Sequence, residues 1–479
     1  MSDAFGKVYH GGAFHIPKGP VTIEVVNPAT GDRLAKVADC TPQDVQDAVA
    51  SAAVAATGWA ATPARERGHM LGSLGRLIRR DLEPLAKTEC RDIGRTIGEC
   101  RAHVLRSAET LEYCAGFADK LEGRVVPQAQ GSFAYTLVEP FGVVAALTPW
   151  NPALLHILQK GSHAMAAGNT IVFKLSPLAC LSAYALASLI EEAGFPAGVF
   201  NFITGGGEAG RALIEHQDVD LVSFTGSTTT GRTVAASAGS TGKQVYLELG
   251  GKAPALVFND ADMEAVSKDL AGAAFGSTGQ SCTAATRIYI EDGVYENFLK
   301  TFVEATSHFR SGDPFSPEST MGPLITMTAR DRAHALVVDA VERGARLVFG
   351  DLSGGTVNEG GSFMNPIVLD NVPEDADVAK EEIFGPITCL YRFSSEQEAI
   401  TRANDSPHGL AAGVYTRDHD RARRLAGMLR AGNVWINGYK KLDPALPFGG
   451  IKGSGFGREC GIDGVLAFTR PKTVVESYR

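Results

Sequence analysis

Between Phe141 and Gly250, short and nearly continuous apolar runs recur at even intervals: Val143 to Leu147, Thr170 to Lys174, Val199 to Ile203, Leu221 to Thr225 and Gln244 to Glu248. Each follows or precedes a stretch with helical spacing. Five such runs alternating with four helices predict strands buried on both faces of a parallel, doubly wound sheet. Leu181 to Ala193 predicts one of these helices, with alanine and leucine at helical spacing and a stop at Gly194, Pro196 lying just beyond. Upstream, Thr41-Pro42-Gln43-Asp44 combines a cap, a proline at the first helical position and an acid in the first turn, so a helical region begins near residue 42. After Gly250 a second alternating set, Ala255 to Phe258, Arg287 to Ile290 and Val434 to Asn437, with helices such as Tyr295 to Phe309 between, predicts another α/β domain. No internal repeat or low-complexity segment interrupts the pattern.

Composition narrows the function. The 479 residues suggest two to four domains. A net charge of −9 leaves no cationic excess for a phosphate backbone, so nucleic-acid binding is not the main activity. No run reaches the roughly 18 apolar residues of a membrane helix, and MSDAFGKVYHGGAF lacks the pattern of a secretory signal. The eight cysteines form no CxxC pair and no zinc-type spacing, which points to free thiols in a reducing, cytoplasmic compartment and to no metal site.

Four local features could carry chemistry. Gly205 to Gly210 satisfies G-x-G-x-x-G after an apolar run, which makes Gly206 and Gly210 candidates for a nucleotide turn. The fingerprint lacks an acid about 20 residues on, so a plain strand-to-helix turn competes with it. Phe224 to Gly231 is a second such turn, where Gly226 and Ser227 open a helix suited to phosphate; simple N-capping by Ser227 or Thr228 is the structural alternative. Cys282, in Gly279-Gln280-Ser281-Cys282-Thr283, has the small, polar setting of an accessible thiol, or is an inert small residue. Glu248 ends an apolar strand, where burial would raise its pKa toward that of a general base.

In order, Thr148-Pro149-Trp150-Asn151, Phe224-Thr225-Gly226-Ser227, Glu248-Leu249-Gly250-Gly251-Lys252, Gly279-Gln280-Ser281-Cys282 and Glu381-Glu382-Ile383-Phe384-Gly385-Pro386 make a far more specific set. The chain resembles an aldehyde dehydrogenase from about Asn27-Pro28-Ala29-Thr30-Gly31 through Pro447-Phe448-Gly449-Gly450 to its end. The resemblance implies an α/β fold with a Rossmann-like cofactor domain (1–120 and 141–250), a catalytic α/β domain (251–450) and a small β oligomerisation arm with tail (121–140 and 451–479). It implies Cys282 as the nucleophile, Asn151 as oxyanion donor and Glu248 as the base for the deacylating water. It further implies NAD or NADP as cofactor, with Lys174 at the adenosine ribose, Gly226 and Ser227 at the pyrophosphate, Glu382 at the nicotinamide ribose and Phe384 packed beside it, and Ser176, Pro177, Trp150 and Leu249 among the other cofactor-binding residues. A homodimer or homotetramer acting on a small aldehyde follows from the same likeness.

Several positions depart from the family's pattern. Pro177 stands where many relatives carry a glutamate that clasps the ribose hydroxyls, which leaves NAD against NADP open. Pro152 replaces an aromatic, and His156 and Gln159 replace Met and Trp of the substrate tunnel. With Tyr439-Lys440-Lys441 preceding Phe448, these changes predict a wider, more polar tunnel and an aldehyde with a polar, anionic or aromatic group, Lys440 or Lys441 supplying counter-charge. Solvated surface lysines are the bland alternative. A non-redox cysteine hydrolase using Cys282, Asn151 and Glu248 is the rival activity, against which the cofactor segments argue. A CoA-acylating variant is opposed by Glu248.

Overall fold

The five apolar runs become the centre of an eight-stranded sheet. In the computed structural model, which describes residues 4–351 and 360–478, the spatial order is Ala13–His15, Val8–His10, Phe200–Ile203, Thr170–Lys174, Val143–Leu147, Leu221–Thr225, Gln244–Glu248 and Gly455–Phe456. The middle five are parallel. Successive strands step outward from Val143–Leu147 in one direction and then, from Leu221–Thr225 onward, in the other, which creates a crevice at the carboxyl ends of the strands. The register there sets Leu147 beside Lys174 and Phe224, and Thr225 beside Glu248.

Burial explains why the runs are continuous: Val143–Leu147 is buried at every position, with helices on both sides. One face packs Ala64–Arg80, Leu82–Ile93, Ile97–Phe117, Ala153–Ala167 and Leu181–Glu192. The other packs Pro42–Ala61, Gly207–Glu215 and Thr228–Ser240. The helix expected near residue 42 starts at Pro42 with a reciprocal capping box between Thr41 and Asp44.

The second sheet has seven strands in the order Arg346–Phe349, Ile367–Asp370, Ile387–Phe393, Ala285–Glu291, Ala253–Val257, Ala411–Tyr415 and Asn433–Ile436, parallel except for the first pair. Three of these strands were expected, each displaced by a residue or two. The expected helix from Tyr295 ends at Thr306 rather than Phe309. A separate three-stranded sheet pairs Ser132–Pro140 with Thr469–Ser477 over nine positions and adds Val125–Val126. Among the described residues no helix is long and apolar enough to cross a membrane. All eight cysteines are unpaired.

Candidate active site

A cavity of about 1150 Å³ joins the carboxyl edge of the eight-stranded sheet to loops of the second domain. Residues expected to act together line it: Asn151, Lys174, Ser227, Glu248, Cys282, Glu382 and Lys440 all do so, as do Trp150, Ser176, Gly226, Leu249, Phe384, Pro152, His156, Gln159 and Phe448.

Cys282 lies just past a tight turn, Gly276–Gly279, in which Ser277, Thr278 and Gly279 all have positive φ. Gly279 is required there, because a Cβ would overlap the backbone of Gly385. Gln280 pins the loop: its side chain accepts from Ile325 N at 2.8 Å and donates to the Pro323 carbonyl at 3.2 Å. The thiol is pushed up to about 12 by burial and by the Glu382 and Glu248 carboxylates, with Lys440 opposing. At neutral pH it is therefore protonated, and attack by sulfur needs a proton acceptor or cationic help.

Asn151 follows the strand Val143–Leu147 and donates from Nδ2 to the Gln280 carbonyl at 3.1 Å. One N–H thus aims the amide, and the second remains for an oxyanion. Glu248, buried at the end of its strand, has no hydrogen-bond partner on either oxygen among the described residues. Burial and the neighbouring Glu459 carboxylate hold its pKa well above the carboxylate range, with Lys160 and Arg458 opposing. Lys160, 1% exposed, pairs with Glu459 and donates to Ser223 Oγ at 2.9 Å. Gln159 donates to the other Glu459 oxygen. No motif marks this pair, and its one visible signal in the sequence is a lysine amid the apolar residues of Ala153–Ala167. Burial lowers His156, one turn away, to about 4, so it is neutral.

At the opposite end, Ser227 caps the helix Thr228–Ser240, accepting from Thr230 N at 3.3 Å. The capping alternative is therefore realised, and the same helix start also faces the cavity through Thr228, Thr229 and Thr230. The Lys174 ammonium makes no hydrogen bond among the described residues, while Thr148 N donates to its backbone carbonyl at 3.2 Å, and burial lowers its pKa. Glu382 Oε1 accepts from Gly251 N at 3.1 Å, and burial raises this carboxyl to about 7 against that bond. Trp150 and Phe384 meet edge to face at 5.5 Å.

Four expected positions fall elsewhere. Gly206 and Gly210 do not line the cavity. Gly206 N donates to Asp39 Oδ1 at 3.0 Å, so the chain's own carboxylate occupies that helix start, and Gly210 serves close packing against Leu147 and Lys174. Pro177 is half-buried outside the lining, and Lys441 is exposed while Lys440 faces inward. Arg95 and His103 also line the cavity. No periodicity or motif singled them out.

The profile of the aldehyde dehydrogenase family matches residues 15–474. Aldehyde dehydrogenase 1A1 of Equus caballus is 39% identical over 476 residues, covering 98% of this chain and 94% of the relative. The NAD complex of PnpE from Pseudomonas sp. WBC-3 superposes with a TM-score of 0.96 at 38% identity, covering 100% of this chain and 98% of that one. An NAD+ complex of the Bacillus cereus aldehyde dehydrogenase gives 0.97 at 36% identity, covering 100% and 98%. An Escherichia coli structure titled as an NADP dependent enzyme gives 0.96 at 36% identity, covering 100% and 99%. Ordered motifs, doubly wound sheet and full-length similarity converge: the chain belongs to the aldehyde dehydrogenase family.

Proposed function

We propose that this chain oxidises an aldehyde to its carboxylic acid, with Cys282 as nucleophile and NAD or NADP as hydride acceptor. The observation carrying this reading is that one cavity holds a thiol, an amide anchored to the thiol's own loop and a buried carboxylate with no partner among the described residues, next to an open helix start. Cys282 loses its proton to solvent, and its sulfur attacks the aldehyde carbon. The second N–H of Asn151 and the backbone N–H of Cys282 take the oxyanion, each contributing on the order of 3 kcal/mol to the transition state. NAD(P), when bound, would supply the hydride acceptor, and Cys282 would then carry the oxidised carbon as an acyl thioester. Glu248 then takes a proton from water, which attacks the thioester and releases acid and thiol.

The residues that would hold the cofactor are Lys174 and Ser176 at the adenosine ribose, Gly226 and Ser227 at the pyrophosphate, and Glu382 at the nicotinamide ribose, with Trp150, Leu249 and Phe384 alongside. The unpartnered Lys174 ammonium and the helix start at Thr228 suit an anionic dinucleotide. NAD is the first choice, and Pro177, which supplies no acid, leaves room for NADP. We divide the chain into a cofactor domain (1–120 and 141–250), a catalytic domain (251–450) and an arm with tail (121–140 and 451–479), acting in the cytoplasm. The arm's exposed Val125, Phe133, Leu137 and Val475 favour a homodimer or homotetramer.

NAD(P)H absorbance, followed with each cofactor over alkyl, aromatic and carboxylate-bearing aldehydes, tests the reading. Reduction that vanishes in Cys282→Ala is expected. Ester hydrolysis by Cys282 without reduction of either cofactor would favour the hydrolase instead.

A further inference from the structure

The wall beside Asn151 and Cys282 carries positive charge that no carboxylate pairs with directly among the described residues, Glu99 and Glu89 acting on it only at longer range. Arg95, 4% exposed, makes no ion pair among the described residues. It donates from Nη2 to the Gln280 carbonyl at 2.9 Å, the same oxygen that orients Asn151. From Nη1 it donates to His103 Nε2 at 3.2 Å, so His103 keeps its proton on Nδ1, which is buried with no partner. Lys440 lines the same cavity, and its ammonium has neither hydrogen bond nor ion pair among the described residues. Each of the two cations acts electrostatically on Cys282, and Arg95 repels Lys440.

The neighbouring acids are already engaged. Glu99 accepts from Ser277 N, Ser277 Oγ and Thr96 Oγ1. Glu109 pairs with Arg106 further along the helix. Two like charges taken out of water beside unspent donors are unfavourable until an anion joins them. A carboxylate fits best, because guanidinium takes it in a two-pronged hydrogen-bonded fork and ammonium adds a point charge.

We propose, resting on the aldehyde-oxidising reading of the site, that Arg95 and Lys440 form an anion subsite that selects short aldehydes bearing a carboxylate at the far end. Such a substrate has its aldehyde carbon at Cys282, its oxygen at Asn151 and its carboxylate at Arg95 and Lys440. The product is a dicarboxylate, which the same subsite holds.

The test compares succinic semialdehyde with butanal, which has the same carbon count but a methyl in place of the carboxylate. The wild-type enzyme and the Lys440→Met, Lys440→Arg and Arg95→Met variants are assayed at saturating cofactor, with circular dichroism confirming the fold. Wild type is expected to favour the carboxylated aldehyde in kcat/KM by at least about ten-fold. Lys440→Met should remove most of that preference through KM, and Lys440→Arg should retain it. Arg95→Met should act like Lys440→Met; if it fails to fold, the two Lys440 variants decide the matter. A wild type without preference, or variants that slow both aldehydes equally because the cations serve only the Cys282 thiolate, would overturn the subsite. Titration calorimetry with succinate separates this from a failure of the dehydrogenase reading. Binding by wild type that Lys440→Met loses supports the subsite even if neither aldehyde is oxidised, and absence of binding overturns it.

Discussion

Gly250→Ala isolates the role assigned to Glu382. A Cβ on Gly250 would stand 2.7 Å from Glu382 Cδ and closer still to Oε2, inside any real contact. What must yield is the far end of a flexible side chain, and Gly250 does not have positive φ, so the backbone accepts alanine. The fold is therefore expected to survive with an unchanged melting temperature. Glu382 has to swing away, losing the 3.1 Å bond from Gly251 N that holds its carboxylate in the cavity. A hydrogen bond to a charged group contributes about 1.5–3 kcal/mol, so if the carboxylate grips the nicotinamide ribose, cofactor affinity falls by roughly 10- to 150-fold. Calorimetric titration with NAD and NADP reads this directly, and the cofactor KM should rise in parallel. A folded variant that binds both cofactors as tightly as wild type would refute the reasoning, because Glu382 would then not hold the cofactor.

Glu248→Gln should accumulate acyl-enzyme, giving one burst of NAD(P)H per site and a steady rate at least about 100-fold slower. In wild type, deacylation should climb as pH rises through the raised Glu248 pKa, and an identical profile in the variant would exclude this base. Lys160→Met strands Glu459 in the interior, so urea unfolding should show a loss of about 3–5 kcal/mol, most of it regained on adding Glu459→Leu; a loss under about 1 kcal/mol would mean that the pair is solvated. Burial raises Glu89 from 4.5 to about 7. The folded state thus binds the proton more tightly, and stability from this group is complete below about pH 4.5 and fades by up to about 3 kcal/mol as pH rises to 7. Glu89→Gln, still accepting from Leu154 N, should flatten that decline in urea midpoints measured across it.

The strands of the cofactor sheet were legible because burial on both faces leaves an unbroken apolar run, as in Val143–Leu147. Ile387–Phe393 and Ala411–Tyr415, both interior to the second sheet, were not legible. Threonine, cysteine and arginine interrupt the first, and the second is rich in small residues. The site was legible where chemistry is local in sequence, as with Asn151, Glu248 and Cys282, and only because their ordered motifs supported one another. At Gly206 the local motif is not enough: whether its N–H is free depends on Asp39, which lies 167 positions away and which no local pattern includes. Lys160 with Glu459 and Arg95 with Gln280 are likewise pairings across long separations, made by tertiary packing.

The return of the chain after Gly450 bears on the order of assembly. Gly455–Phe456 covers the outer edge of Gln244–Glu248, Glu459 neutralises Lys160, and Thr469–Ser477 completes the sheet begun by Ser132–Pro140. During synthesis the first 450 residues therefore emerge with an open strand edge and a lysine in an apolar interior that lacks its counter-ion, the kind of surface that invites misassociation. The carboxylate that tunes Glu248 arrives with the same late segment. A ribosome-bound chain would thus hold its nucleophile and base well before it could use them, and competence would begin only when the final stretch has docked.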